Sequence, residues 1–389
     1  METDLVAELQ WLAAALVAAS LAGAVYLLAA ASAVRRFTAR AQPDATASAP
    51  PVSVLKPVCG ADADLYDCLR SFCIQDYPSY QVVFGARDAA DLAVAVVRRL
   101  IAELPQRDLV LVIDGRTHGT NGKVSNLINM LPAARHDHLV IADSDMRVGP
   151  DYLKSVAPPL LDPEVGLVTC LYAGRPTDGR WSRLGALFIN HGFLPGVLVG
   201  RWLGTRSACF GATIAIGRAT LAACGGYEAL RHTLADDYAL GDAVRRQGRR
   251  IVLSPYIVDA VVHEPDYDGL FRHELRWGRT IRTITPTRFA ASAVVHAVPL
   301  AMGAVLCSGG GTASLTALAI AAAARVRLGR TADRALALER SPLWLMAVRD
   351  TLSFVVLVAS FCGKRVTWRG HALRVRADGT LRADGEATR

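Results

Sequence analysis

His138-Leu139-Val140-Ile141-Ala142-Asp143-Ser144-Asp145 is the stretch on which the reading of this chain turns. A short unbroken apolar run that stops on an acid reads as a buried strand ending at the carboxyl edge of a sheet. Working back from it, Lys123 to Leu131 has helical spacing, Asp108 to Ile113 is strand-like and Asp91 to Leu104 is helical. Gln81 to Gly85 is a further strand, Asp64 to Phe72 a helix, and Val52 to Leu55 the first strand. Strand and helix alternate, so the class is α/β, with a parallel sheet covered by helices. Ligands of such sheets bind at the carboxyl ends of the strands. Asp88 and Asp143 both lie just past a strand.

Two carboxylates two residues apart, Asp143 and Asp145, suit one divalent cation. Mg²⁺ or Mn²⁺ takes oxygen ligands and is commonly held by one or two carboxylates plus substrate phosphates. The same spacing also occurs in solvated loops. Asp236-Asp237 opens the helical stretch Leu234-Ala235-Asp236-Asp237-Tyr238-Ala239-Leu240. Adjacent acids there serve as cap and dipole residues, and a carboxylate so placed also suits a general base for an attacking hydroxyl. His273-Glu274-Leu275-Arg276-Trp277-Gly278-Arg279 is cationic and aromatic beside an apolar segment. It reads as an interfacial anchor, or as an Arg for a diphosphate and a Trp walling a sugar site.

The flanks of this region are apolar. The chain has 389 residues, 52% of them hydrophobic, with a formal charge of +8. Trp11 to Val34 carries no charge and is followed by Arg35-Arg36. Its roughly 24 residues are enough to cross a bilayer of about 30 Å. The basic flank places residue 35 onward on the cytoplasmic side. The apolar run is too long for a cleaved signal peptide, and its charges come after it rather than before. After the middle region come Phe289 to Ser308, the short Thr312 to Ala324, and Ser341 to Phe361. Arg349-Asp350 interrupts the last and reads as an internal pair, costly in lipid. If all three crossed, Lys364, Arg365 and Arg369 would face outward, against the positive-inside rule, so at least one is expected to be re-entrant or interfacial. The organisation expected is an anchor at 1–40, a linker at 41–51, a catalytic domain at 52–285, membrane segments at 286–362 and a basic polar tail at 363–389. Basic residues sit beside apolar segments rather than in an aromatic-interleaved patch, which argues for lipid and against nucleic acid as a partner. The eight cysteines form no Cys-x-x-Cys pair and read as reduced thiols.

Taken in order, these segments resemble the ceramide glucosyltransferase family of inverting glycosyltransferases, with its scattered pattern D, D-x-D-like, D and (Q/R)-x-x-R-W. Val54-Leu55-Lys56-Pro57 and Gln75-Asp76-Tyr77-Pro78 match its opening unit. Asp88 matches the first aspartate and Asn121-Gly122-Lys123-Val124-Ser125-Asn126-Leu127 a segment lining the donor site. Asp143 matches the second aspartate, Asp237 the third, and Arg276-Trp277 the last motif, with His273 standing at its Q/R position. The resemblance covers roughly residues 10–370. It implies a GT-A (Rossmann-like) catalytic domain with an N-terminal transmembrane helix and C-terminal membrane segments. It also implies a UDP-sugar donor held by Asp88, Lys123, Asp143, Arg276 and Trp277, a divalent cation on Asp143 and Asp145, and Asp237 as catalytic base. The place implied is the inner membrane, multi-pass, with the catalytic domain cytoplasmic. The wording of Ser71 to Pro78, Lys123 to Met130 and Arg272 to Trp277 is similar to the hopanoid biosynthesis-associated branch. That branch implies N-acetylglucosamine transferred from UDP-GlcNAc to bacteriohopanetetrol, with ceramide and UDP-glucose as the alternative. A nucleotide-binding membrane protein without transfer activity and a polysaccharide synthase are further alternatives. The few C-terminal apolar segments leave the synthase little from which to build a polymer channel.

Overall fold

Val52–Pro57 forms strand β1, and both its neighbours run parallel to it: β2 (Tyr80–Ala86) and β4 (His138–Ile141). These three strands are apolar on both faces and are covered on both, as parallel strands require. The computed structural model describes residues 2–40, 48–61, 64–205, 209–363, 365–368, 371–375 and 381–383. The first half-sheet is completed by β3 (Leu109–Ile113) beside β2. Helices α2 (Leu65–Cys73), α3 (Leu92–Glu103) and α4 (Gly122–Met130) make the crossovers. Asp91 caps α3 by accepting from the Ala93 amide at 2.9 Å, and Asn121 caps α4 by accepting from the Lys123 and Val124 amides.

The second half departs from the parallel sheet expected. The strands here are β5 (Met146–Arg147), β6 (Val165–Pro176), β7 (Ile214–Gly217) and β8 (Arg250–Val262). The eight strands lie in the order β3-β2-β1-β4-β7-β6-β8-β5. β7 is antiparallel to both β4 and β6, and β5 is antiparallel to β8. The sheet is therefore mixed. The chain returns to β7 from a long helical excursion, α6 (Arg180–Phe188), a π-turn at Ile189–Phe193 and α7 (Leu194–Trp202), and so enters from the opposite end. Helices α5 (Tyr152–Val156), α8 (Arg218–Ala223) and α9 (Asp236–Arg246) complete the domain. α2, α3 and α5 cover one face around Leu69, Phe72, Val97 and Tyr152. α4 and α9 cover the other around Leu127, Met130, Leu240 and Val244.

The N-terminal helix α1 (Glu2–Thr38) is not a tether hanging from this domain. Its Ala24, Leu27, Ala31 and Val34 pack with Leu194 and Leu198 of α7 and with Leu171 and Leu253 of the sheet. The same cluster takes in Ala301 of α12 (Ala297–Cys307) and Ala321 and Leu328 of α13 (Thr312–Ala335). Small residues let these helices close together without a hydrophobic drive between them. A Cβ on Gly23 would run into the Val294 carbonyl and Ala297.

The apolar segments are resolved differently from one another. α1 and α14 (Leu343–Phe361) are each long and apolar enough to cross a membrane. The stretch from Phe289 to Ser308, long enough to span on its own, is bent. α11 (Pro286–Ala291) and the turn after it meet α12 at 68°, with the break at His296. α13 runs well past the apolar 312–324 because its polar end is neutralised inside the fold. The expected Arg349–Asp350 pair does not form. Neighbours on a helix point about 100° apart. Arg349 reaches Glu274 of α10 (Tyr267–Ile284) with two bonds of 2.6 and 2.7 Å, and Asp350 accepts from Arg325 of α13 at 2.7 Å. Residues 41–47 of the expected linker, with Lys364 and Arg369, lie outside the described residues. The tail is not featureless: β9 (Arg365–Trp368), β10 (His371–Val375) and β11 (Leu381–Ala383) form a small antiparallel sheet. All eight cysteines are free thiols.

Candidate active site

Asp143 comes directly after β4, and the loop Asp143-Ser144-Asp145 crosses the carboxyl edge of the sheet. It is pinned on two sides. The Ala142 amide donates to the Leu55 carbonyl of β1 at 3.3 Å, and Val261 of β8 donates to the Asp145 carbonyl at 2.9 Å. Beneath it Lys56 is fully buried, with its ammonium over the Phe72 ring and donating to the Asp143 carbonyl at 2.5 Å. Burial brings this lysine down to about 8, against the pull of nearby carboxylates.

Lys123 enters from the first turn of α4. Its ammonium lies 2.5 Å from Asp143 Oδ1 and 3.8 Å from Asp236. Burial alone would lower it, but Asp143 and Asp236 outweigh burial and hold it above the usual lysine range. Asp237 enters from the first turn of α9. Its Oδ2 accepts from the Gly211 amide at 3.0 Å and its Oδ1 from the Tyr238 amide at 2.7 Å. Burial and then the Asp236 carboxylate push Asp237 up to about 6. Asp145 keeps solvent-exposed surface, yet the protein wall around it and the neighbouring Asp143 push it up to about 6 as well. Burial likewise raises Asp236.

Gly211 is the hub. A Cβ there would lie 3.0 Å from Asp143 Oδ2, 3.4 Å from Lys123 Nζ and 3.7 Å from Asp237 Oδ2. Any side chain would fill the space that Asp237, Lys123 and Asp143 share. Tyr172 on β6 feels all three of Asp237, Asp145 and Asp143 and stacks on Phe193 at 4.7 Å.

Asp143, Asp145, Lys123 and Asp237 are thus brought together, as the sequence reading requires. Asp88 and Trp277 come from other elements, the end of β2 and α10. Asp88 ends the β2 edge, where its carboxylate accepts from the Ala90 amide at 2.9 Å inside its own turn. Its neighbour Arg87 reaches Thr117 in the loop before α4. Trp277 stacks on Phe188 at 5.7 Å, and Phe188, Tyr172 and Phe193 all pack against the cluster of Ala186, Ile189 and Val262. The last motif is therefore flanked by aromatic residues, Phe188 directly and Tyr172 through the shared cluster. Arg276 lies beside Trp277 on α10. His273 is held by Glu264 at 2.8 Å. Sequence reasoning missed Gly211 and Tyr172 and assigned Lys56 no role. A buried lysine immediately before Pro57 in a strand was the one available signal, since lysine is rarely buried without a partner.

Four carboxylates meet two ammonium groups here. Three of the carboxyls, Asp145, Asp236 and Asp237, are held above the ordinary range by burial and by one another, and that excess of oxygen donors fits a hard divalent cation on Asp143 and Asp145. Among the described residues no group of three His, Cys, Asp or Glu forms a closed metal cage. Such a cation would take its remaining ligands from diphosphate and water.

A family model described as "Glycosyl transferase family 21" matches residues 15–381. Ceramide glucosyltransferase 1 of Caenorhabditis elegans is 29% identical over 233 residues, covering 60% of this chain and 49% of that protein. Ceramide glucosyltransferase 3 of the same organism is 26% identical over 212 residues, covering 54% and 46%. The chain spans about half the length of the curated relatives it matches. Among solved structures, a mannosyltransferase from Pyrobaculum calidifontis in complex with GDP-Man and Mn²⁺ superposes with a TM-score of 0.53 at 22% identity. That superposition covers 91% of this chain and 99% of that one. The likeness establishes the GT-A fold.

Proposed function

The chain belongs to glycosyl transferase family 21, and from that premise we propose that it is a membrane-bound inverting glycosyltransferase moving a sugar from a UDP-sugar to a lipid hydroxyl. The observation that carries this is the single space over Gly211 bordered by Asp237, Lys123 and Asp143. Asp237 accepts the proton of the acceptor hydroxyl while that oxygen bonds to the anomeric carbon on the face opposite the diphosphate. The bond from the anomeric carbon to the diphosphate breaks, and UDP leaves with the electron pair. Two amide donors hold the Asp237 carboxylate in place for this. Lys123 balances negative charge at the diphosphate end. A divalent cation on Asp143 and Asp145 would act there as a Lewis acid for the leaving group. Asp88 serves the nucleotide from the β2 edge, and Trp277 with Phe188 and Tyr172 walls the sugar side.

The acceptor reading rests on position. α10, carrying Arg276 and Trp277, packs directly on α14, which is long and apolar enough to cross a membrane. A hydroxyl at the interface reaches the acids while its apolar body stays in lipid. Arg35, Arg36 and Arg40, at and just past the end of α1, support a catalytic domain on the cytoplasmic side of an inner membrane that the chain crosses more than once. Within this reading the hopanoid polyol, with N-acetylglucosamine as the sugar, is supported by the branch-like wording of Lys123 to Met130 and Arg272 to Trp277. Ceramide with UDP-glucose is the second reading, favoured by the names of the curated relatives. Purified protein is incubated with labelled UDP-sugars, Mn²⁺ and a lipid extract, and the labelled lipid is identified by mass spectrometry. A glycosylated hopanoid polyol is expected. A glycosylceramide would transfer the assignment to the second reading, and no labelled lipid would refute lipid transfer altogether.

A further inference from the structure

Where the ends of α1 and α13 meet the edge of the catalytic sheet, the fold encloses a cleft of about 370 Å³. Arg40, Arg147 and Arg175 line it, together with one acid, Asp259. Arg175 is already committed. Its Nε donates to Asp259 Oδ1 at 2.7 Å, and its amino groups donate to the Leu336 and Ala337 carbonyls that end α13. Arg147 lies 3.8 Å from the remaining Asp259 oxygen, beyond hydrogen-bonding distance, with its side chain 45% exposed. Arg40 lies over the Phe37 ring and, among the described residues, makes no ion pair. The other polar groups on the wall are occupied: Thr38 donates back into α1, and Tyr256 accepts from the Gly149 amide at 2.6 Å. Two guanidinium groups therefore face one cavity whose described lining carries three arginines and a single acid, Asp259, a net charge of about +2. Arginine forks match phosphate oxygens bidentately.

We propose that this cleft binds a phosphate-bearing anion, and its position points to the head group of an anionic membrane lipid as the source. Thr38 closes a helix able to cross the membrane, so the cleft opens at head-group level, where basic pockets between helices hold anionic lipids. The site is separate from the Gly211 space, although Arg147 lies two residues past Asp145. The inference rests on the proposed membrane placement of α1 and is independent of the sugar acceptor.

The test uses the full chain purified in a neutral detergent, with thermal unfolding measured against dioctanoyl phosphatidylglycerol, dioctanoyl phosphatidylcholine and inorganic phosphate. Phosphatidylglycerol should raise the Tm saturably, as a ligand of the folded state does, and phosphatidylcholine should not. The pair Arg40→Gln and Arg147→Gln should weaken the phosphatidylglycerol effect at least tenfold while UDP binding with Mn²⁺ stays unchanged. Arg147→Lys, which keeps the charge and loses the fork, should fall between. Inorganic phosphate acting in the same concentration range as phosphatidylglycerol would uphold the phosphate site and overturn its lipid source. Equal effects of the two lipids, or a double variant that responds like the wild type, would overturn the site. Alkaline carbonate extraction tests the membrane placement separately. A chain that stays in membranes but ignores phosphatidylglycerol sinks the anion site alone.

Discussion

Two regions of this molecule concentrate charge, and they do so in opposite ways. Around Gly211 four carboxylates face two lysines, and Asp145 and Asp237 are both pushed up to about 6. At the junction of α10, α13 and α14 each buried acid has its own base. Glu274 pairs with Arg349 and Asp350 with Arg325 at 2.7 Å, while Asp333 is hydrogen-bonded at 2.7 Å to His191, whose imidazole burial pushes below its ordinary range. Matched charges stabilise a fixed geometry, whereas an unmatched set at a strand edge stores a demand for a cation and a proton acceptor. The first pattern marks architecture and the second marks chemistry.

The comparison breaks most visibly at Asp237. Asp237→Asn can accept only one of the Gly211 and Tyr238 amides and removes the proton acceptor, so transfer should fall by about 10³-fold or more. UDP affinity with Mn²⁺, measured by calorimetry, should stay near wild type. Turnover close to wild type would shift the role to Asp236.

The matched region should respond in stability instead. Removing one partner of a buried pair costs about 3–5 kcal/mol. The two removals should differ: Arg349→Met leaves Glu274 free to take a proton, whereas Glu274→Leu strands a guanidinium that cannot lose one. Glu274→Leu should therefore lower the Tm more, and the double variant should recover much of the loss. Chemical denaturation of all three variants checks this. A double variant as unstable as the worse single one would show that the pair does more than cancel charge.

Asp143→Ala should lower metal-dependent UDP affinity by about 10²-fold, several kcal/mol being the usual scale of Lewis-acid assistance. Titration of UDP with and without Mn²⁺ reads it directly, and unchanged metal dependence would remove Asp143 from the cation site. The smallest effect is on pH. In metal-free protein the Asp237 carboxyl sits at about 6 rather than at its ordinary value near 3.8. The folded state therefore holds a proton that the unfolded chain releases between those values, and stability falls as pH rises through about 4 to 6. Asp237→Asn should flatten that fall, and saturating Mn²⁺ should shrink the difference. Parallel Tm curves for the two proteins between pH 4 and 7 would rule out the raised carboxyl.

Much of this is legible in the sequence wherever the signal is local. Val52 to Ala142 reads as alternating strand and helix because each element carries its own periodicity and its own stop. The acids past β2 and β4 fall at ligand-binding edges by rule. The order of the motifs carried the family. The reversal of β7 was hidden, because a strand of apolar residues reads the same in either direction. So was the partner of Arg349, seventy-five positions away on α10. Gly211 carries no side chain to draw attention, and Tyr172 sits in an apolar strand like any core tyrosine. What the sequence by itself determined is which segments become strands and helices and which residue types stand at their ends, since backbone preference and burial period act over a few neighbours. Which carboxylates share one space, and which are neutralised at a distance, was decided only when the folded chain set β4, α4, α9 and the 209–212 loop around the same point.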